Sequence, residues 1–313
     1  MRRTLIALTV AAVPFGVQAV PRPAPTDLTG LWTSSSLTML ERPPSVTALS
    51  IAPAAADGVE KRILAAVAAD SDDVGGRSSE IGWWNFGAHL ARIGGQARTS
   101  WIVEPADGRL PFSAAGLAAR ARESAARQDS ANPETRTASE RCLLTGWAGA
   151  GPPMMNAPYA NAYQIVQTKD AVAIAIEAVH DVRTVRLVAG PSQARHLPSS
   201  IRPWLGDSVG WWEGRTLVVE TTNFNPGDQV KMPTSLFISA SAKVTERFAR
   251  LPDGGLSYGF TVDDPATYTR PWRAEMVFRP IPGTLIEYAC HEGNYALPGI
   301  LAGARREEQL AKR

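Results

Sequence analysis

From Arg141 onward the chain breaks into short runs of alternating apolar and polar residues, and this pattern constrains the fold more than any other feature. Successive side chains of a strand point to opposite faces, so an alternating run buries one face and wets the other. Runs at 162–168 and 171–178 flank a Lys169-Asp170 turn and read as a hairpin, and 182–188 follows at once. After a long loop with three prolines come runs at 216–222, 243–251, 256–262, 273–279 and 284–289. Pro252-Asp253-Gly254-Gly255 and Pro280-Ile281-Pro282-Gly283 supply turn chemistry within the series. Short strands at near-regular spacing predict a mainly β fold: an antiparallel barrel or sandwich, lipocalin-like, with two or three peripheral helices. A closed barrel removes exposed edges and can hold one small ligand.

The first half is more mixed. Gly30-Leu31-Trp32-Thr33 reads as a first short strand, 99–103 as another, and Pro105-Ala106-Asp107-Gly108 as a turn. Val59, Ile63, Leu64 and Val67 recur at helical spacing after Asp57-Gly58, which predicts a helix over 57–69. An Ala/Arg-rich helix is expected over 113–128, and a charged terminal helix, packed outside, over 300–312. Residues 70–97 are Gly- and Ser-rich around Trp83-Trp84 and read as a loop or binding rim; 129–139 is a polar connector. The expected organisation is one β-rich domain over 20–313 with a helical insertion around 57–130.

Met1-Arg2-Arg3, an apolar run from Leu5 to Val17 and the small-residue exit Val17-Gln18-Ala19 read as a Sec-type signal peptide over 1–19. Cleavage is expected after Ala19, with a periplasmic or secreted destination. Removing Arg2 and Arg3 lowers Lys+Arg from 32 to 30, against 30 Asp+Glu, so the mature chain is formally neutral. A neutral chain offers no strong field for nucleic acid, and no later run reaches membrane-spanning length. The expected partner is a small molecule; the oligomeric state stays open. In an exported chain Cys142 and Cys290 most simply form one disulfide, closing a loop of about 150 residues.

Several segments form a recognisable set: Ser139-Glu140-Arg141-Cys142-Leu143, Tyr163-Gln164-Ile165-Val166-Gln167-Thr168, His180-Asp181-Val182-Arg183, Trp204-Leu205-Gly206-Asp207-Ser208, Trp212-Glu213-Gly214, Leu217 through Phe224, and Tyr288 through Tyr295. Together they resemble an exported, mostly uncharacterised bacterial family, over most of residues 98–305. The resemblance implies a β-rich fold and assigns no catalytic residue. Gly30-Leu31-Trp32 also resembles the opening of lipocalin-like barrels.

Candidate chemistry gathers at strand ends. Alternation from Val172 through Ile174, Ile176 and Ala178 puts His180 on the apolar face, where a histidine can act as base or acid, with Asp181 orienting it. Cys290-His291-Glu292-Gly293-Asn294-Tyr295 packs a histidine, a carboxylate, an amide and a phenol beside the expected bridge, which would hold His291 and Glu292 rigidly. Glu220 ends the apolar run Leu217-Val218-Val219. It reads either as a catalytic carboxylate or as an ion-pair partner of Arg183, Arg186 or Arg247. His196 lies in a loop that could cover a cavity and ranks below His180 and His291. Tyr163, Asn223 and Arg141 are candidate donors to developing negative charge, and Tyr295 and Trp204 are candidate ligand contacts.

No short metal-ligand spacing, phosphate loop, dinucleotide fingerprint or haem motif is present. The expectation is a cofactor-independent acid–base enzyme, a lyase, isomerase or hydrolase, acting on a small apolar or aromatic compound. A metal held through His180 and His291 has little sequence support. The alternative is a non-catalytic, lipocalin-like binding protein of the cell envelope.

Overall fold

The computed structural model describes residues 25–72, 87–145, 149, 151–157, 159–227, 229–230 and 236–313, and of 67, 69–72 and 180 the backbone alone. The expected leader over 1–19 and Trp83, Trp84 and Trp147 lie outside the described residues.

Chain order is β1 (Gly30–Thr33), β2 (Ser50–Ile51), α1 (Pro53–Asp72), β3 (Arg92–Ile93), β4 (Gln96–Arg98), β5 (Ile102–Glu104) and α2 (Ala114–Ala126). Then follow β6 (Ala162–Gln167), β7 (Ala171–Ile176), β8 (Val182–Leu187), β9 (Asp207–Glu213), β10 (Thr216–Thr222), β11 (Lys243–Arg250), β12 (Leu256–Asp263) and β13 (Trp272–Pro280). Two helices, α3 (Cys290–Gly293) and α4 (Ala296–Ala311), end the chain. Nine strands close into a barrel in the order β1-β6-β7-β8-β9-β10-β11-β12-β13, with β13 pairing back onto β1. β5 extends β13 outside the ring, and β2, β4 and β3 form a separate small sheet.

Nine strands cannot alternate direction all the way round a closed ring, so at least one neighbouring pair must be parallel. That pair is β8 and β9, a departure from the antiparallel expectation. Both run from the upper rim, where β7 turns into β8, to the lower rim, which carries the Lys169-Asp170 and Pro252–Gly255 turns. A parallel connection needs about a dozen residues or more. Here 188–206 climbs the outer wall as a strap, with one 3₁₀ turn at Pro191–Gln193. It re-enters the barrel at Gly206, whose φ is +73° and where a Cβ would stand 2.7 Å from Thr221 Cγ2. Only glycine fits that left-handed, crowded position.

The hairpin at 162–178 and the turn at Pro252–Gly255 fall where expected. Three readings need correction. β9 was not among the expected strands. The run at 284–289 is irregular: β13 already has β12 and β1 as neighbours, so the closed ring offers no free edge, and Pro280 and Pro282 lack N–H donors. β7 ends at Ile176; Ala178 is still buried in the core, but a 3₁₀ turn, Ala178–His180, follows with Val179 at φ 57°. The apolar-face argument therefore does not reach His180.

The lumen is packed. Leu28, Trp32, Ile165, Ile174, Val219 and Phe260 are buried within it. Tyr163 stacks on Phe278 at 5.2 Å, and Tyr258 lies 4.9 Å from Phe248 and 5.2 Å from Phe278. Trp32 plugs the lower end: its Nε1 donates to Leu28 O at 3.2 Å, and the Arg250 guanidinium lies 4.4 Å over its ring. Inside this apolar barrel sit two charges. Arg183 donates through Nη1 to Glu246 Oε2 and through Nη2 to Oε1 at 2.9 Å, and Tyr258 donates to the same Oε1 at 2.7 Å. Their side chains are 1% and 0% exposed.

Candidate functional site

The parity of the strands builds a polar cluster on the outer wall. Arg186 registers with Val209, Val209 with Glu220, and Asp207 lies two residues before Val209. Period-two alternation therefore puts Arg186, Asp207 and Glu220 on one outward face of β8, β9 and β10. The strap then lays His196 over them. Its Nδ1 is 2.9 Å from Asp207 Oδ2 and its Nε2 is 3.2 Å from Glu220 Oε1.

The strap is clasped on both sides of this ring. Leu197 N donates to Asp207 Oδ2 at 2.8 Å, and Arg186 Nη2 donates to Asp207 at 2.8 and 3.1 Å and to Arg195 O at 3.2 Å. Asn223, at φ 57°, donates through Nδ2 to Leu197 O at 2.8 Å. Lys243 Nζ approaches Glu220 Oε2 at 3.7 Å.

Burial grades the three groups: the Asp207 side chain is 6% exposed, His196 19% and Glu220 26%. Asp207 is thus the enclosed, orienting carboxylate and Glu220 the one that solvent reaches. Burial by itself raises the Asp207 pKa. The hydrogen bonds from Arg186, Leu197 and His196 and the Arg186 charge outweigh it and hold the group below its ordinary 3.8. A depressed carboxylate contributes stability that is full above the unfolded value and is lost as pH falls through the folded one. Asp207→Asn is therefore expected to flatten the acid limb of the stability curve below about pH 4. Urea titrations at a series of pH values measure this, and an unchanged acid limb would refute it.

An imidazole bonds two carboxylates at once only as the imidazolium, or when one carboxyl carries the proton. The ring thus bridges the two carboxylates, Asp207 at Nδ1 and Glu220 at Nε2. The two carboxylates address opposite ring nitrogens and do not converge with the histidine on one point. Among the described residues no group of three or more His, Cys, Asp or Glu side chains has a metal-holding arrangement.

The other candidates fall into two places. At the upper rim, Cys142 and Cys290 are disulfide-bonded with Cα atoms 5.8 Å apart. Asn294 donates to Glu140 O at 2.8 Å, and Thr145 N donates to Asp181 Oδ2 at 3.0 Å. The 140–145 segment so links the bridge to the turn that carries Asp181 and the His180 backbone. Asp181 is buried and Arg141 half-buried. His291 and Glu292 are exposed on α3, and their side chains make no hydrogen bond among the described residues. Tyr295 is exposed.

Tyr163 belongs to the core. It is fully buried and donates to Met155 O at 2.8 Å, and burial pushes its phenol pKa up. Trp204 is on the strap, with its ring against Gly227. Glu220 thus meets His196 rather than His291, and Arg183, one of its expected partners, is turned inward to Glu246. Sequence reasoning passed over Asp207 and Glu246. The inward-facing series Val244, Glu246, Phe248 carries a visible signal: a charge where alternation demands an apolar residue.

No protein-family model matches the chain, and no curated protein does.

Proposed function

We propose that the protein is an exported acid–base enzyme whose reactive pair is His196 and Glu220, oriented by Asp207. The observation that carries this reading is the histidine held at both ring nitrogens by carboxylates of unequal burial. The enclosed Asp207 sets ring orientation, as the buried acid does in other histidine-centred sites. The more open Glu220 and the Nε2 edge exchange a proton with substrate, and Lys243 stands beside them to offset developing negative charge. The reactions this suits are proton-transfer ones: elimination, isomerisation or hydrolysis of a small organic compound. A site on an outer wall takes a group presented at the surface rather than one swallowed by the lumen, which the core side chains fill. The disulfide supports an oxidising, extracytoplasmic compartment.

The test is a screen of esters, glycosides and enolisable carbonyl compounds for turnover by the full chain. His196→Asn and Glu220→Gln are each expected to lower kcat/KM by about 10²–10⁴-fold. Glu220→Gln should also remove one limb of the pH–rate profile, a change that loss of strap anchoring alone does not produce. Turnover that survives both substitutions ends the reading. The rival, a binding barrel without chemistry, draws on the cleft described next.

A further inference from the structure

At the lower rim, on the opposite end of the barrel from the Asp181 turn, an open cleft of about 700 Å³ lies where the strap leaves β8. This is within the roughly 300–1,000 Å³ range of small-molecule sites. Its floor is Leu187 and Trp212, both half-buried and packed from beneath against the barrel core. Its walls are polar: Asp27, Thr29, Gln167 and the Lys169–Asp170 pair at the tip of the β6–β7 hairpin.

These groups are braced. Gln167 Oε1 accepts from Leu28 N at 3.0 Å, and Asp27 Oδ1 accepts from Thr29 N at 2.9 Å. Arg250 donates to the backbone oxygens of Asp27 at 2.9 Å and Thr29 at 3.2 Å, and so ties the Pro25–Thr29 wall to the barrel. With one oxygen of Gln167 used by the backbone, its amide nitrogen makes no hydrogen bond among the described residues and remains a donor.

We infer that this cleft binds a neutral polyhydroxylated ring, a sugar residue, with one face on Trp212. An aromatic plane supplies the flat apolar surface that the C–H face of a sugar ring needs, and the surrounding carboxylate, amide, hydroxyl and ammonium groups match hydroxyls that both donate and accept. Two carboxylates and one ammonium leave the lining net negative, which disfavours phosphates and other anions. Four or five polar groups around one aromatic are also too many to desolvate for a purely apolar ligand.

The experiment is a titration of the full chain with cellobiose and maltose, read by tryptophan fluorescence and calorimetry, with inorganic phosphate and hexanol as controls. Saturable sugar binding is expected, weakened about tenfold or more by Trp212→Ala, which is about 1.4 kcal/mol. Gln167→Ala, and Asp170→Ala at an exposed turn that cannot unfold the barrel, should weaken it as well. Trp212→Phe should restore part of the affinity. His196→Asn should leave it unchanged, so this site and the acid–base site fail or stand separately. Absence of sugar binding, or binding that all three alanine variants retain, overturns the inference. Tighter binding of phosphate or hexanol than of either sugar overturns the ligand class.

Discussion

Glu246→Ala is expected to cost about 3–5 kcal/mol of stability. The change strands the Arg183 guanidinium in the lumen at 1% exposure and removes the acceptor of the Tyr258 hydroxyl. An ion pair already out of water gains little over a well-packed apolar pair, but a lone buried charge is heavily penalised. The double variant Arg183→Met, Glu246→Leu should therefore recover most of what Glu246→Ala loses. Urea unfolding of wild type, Glu246→Ala and this double variant makes the measurement. A loss under about 1 kcal/mol for Glu246→Ala would mean that water reaches the pair.

The second large effect concerns the bridge between Cys142 and Cys290, which lie 148 residues apart. A cross-link closing a loop of this length is worth about 2–5 kcal/mol, chiefly through the unfolded chain. Its structural reach is wider than the two cysteines. No residue of α4 is buried, and beyond the bridge the tail meets the body through a few contacts: Ile281 N to Leu31 O, Ile286 N to Glu177, the Tyr288 ring stacked on Tyr159 at 6.4 Å, Asn294 to Glu140 O and Arg305 to Ala131 O. Reduction is therefore expected to free 281–313 for proteolysis while the barrel strands stay protected from hydrogen exchange, because the ring closes through β13 and β1 without the tail. Limited proteolysis with and without reductant, read by mass spectrometry, follows this. A tail that stays uncut after full reduction rejects the account, as does an unchanged thermal midpoint.

Much of the barrel was legible in the chain. Alternation at Val172, Ile174 and Ile176 and at Val244 through Phe248 set which side faces in, because strand geometry has a period of two regardless of context. Lys169-Asp170 and Pro252 through Gly255 marked hairpin turns by local chemistry alone. Cys142 and Cys290 announced their pairing because a chain with two cysteines has one intramolecular pairing to make.

The site was far less legible. His180 was weighted above His196 by carrying β7 alternation past Ile176, yet a local 3₁₀ turn ends that register, and nothing in a linear pattern reveals where a strand stops. His196 gained its partners only because β8 and β9 run the same way, so that the chain had to cross the outer wall and lay that loop on Asp207 and Glu220. Strand direction follows from the number of strands that close the ring, a property no single segment carries. Arg183 and Glu246 illustrate the same division: each is visible in sequence as a charge at an inward position, but their pairing across the lumen depends on closure. The residues determined which groups point inward, which turn, and which cysteines bridge, since those depend on spacings of a few bonds. Closure of the barrel decided which charges meet, since that depends on bringing positions 63 residues apart in the chain, Arg183 and Glu246, to hydrogen-bond distance.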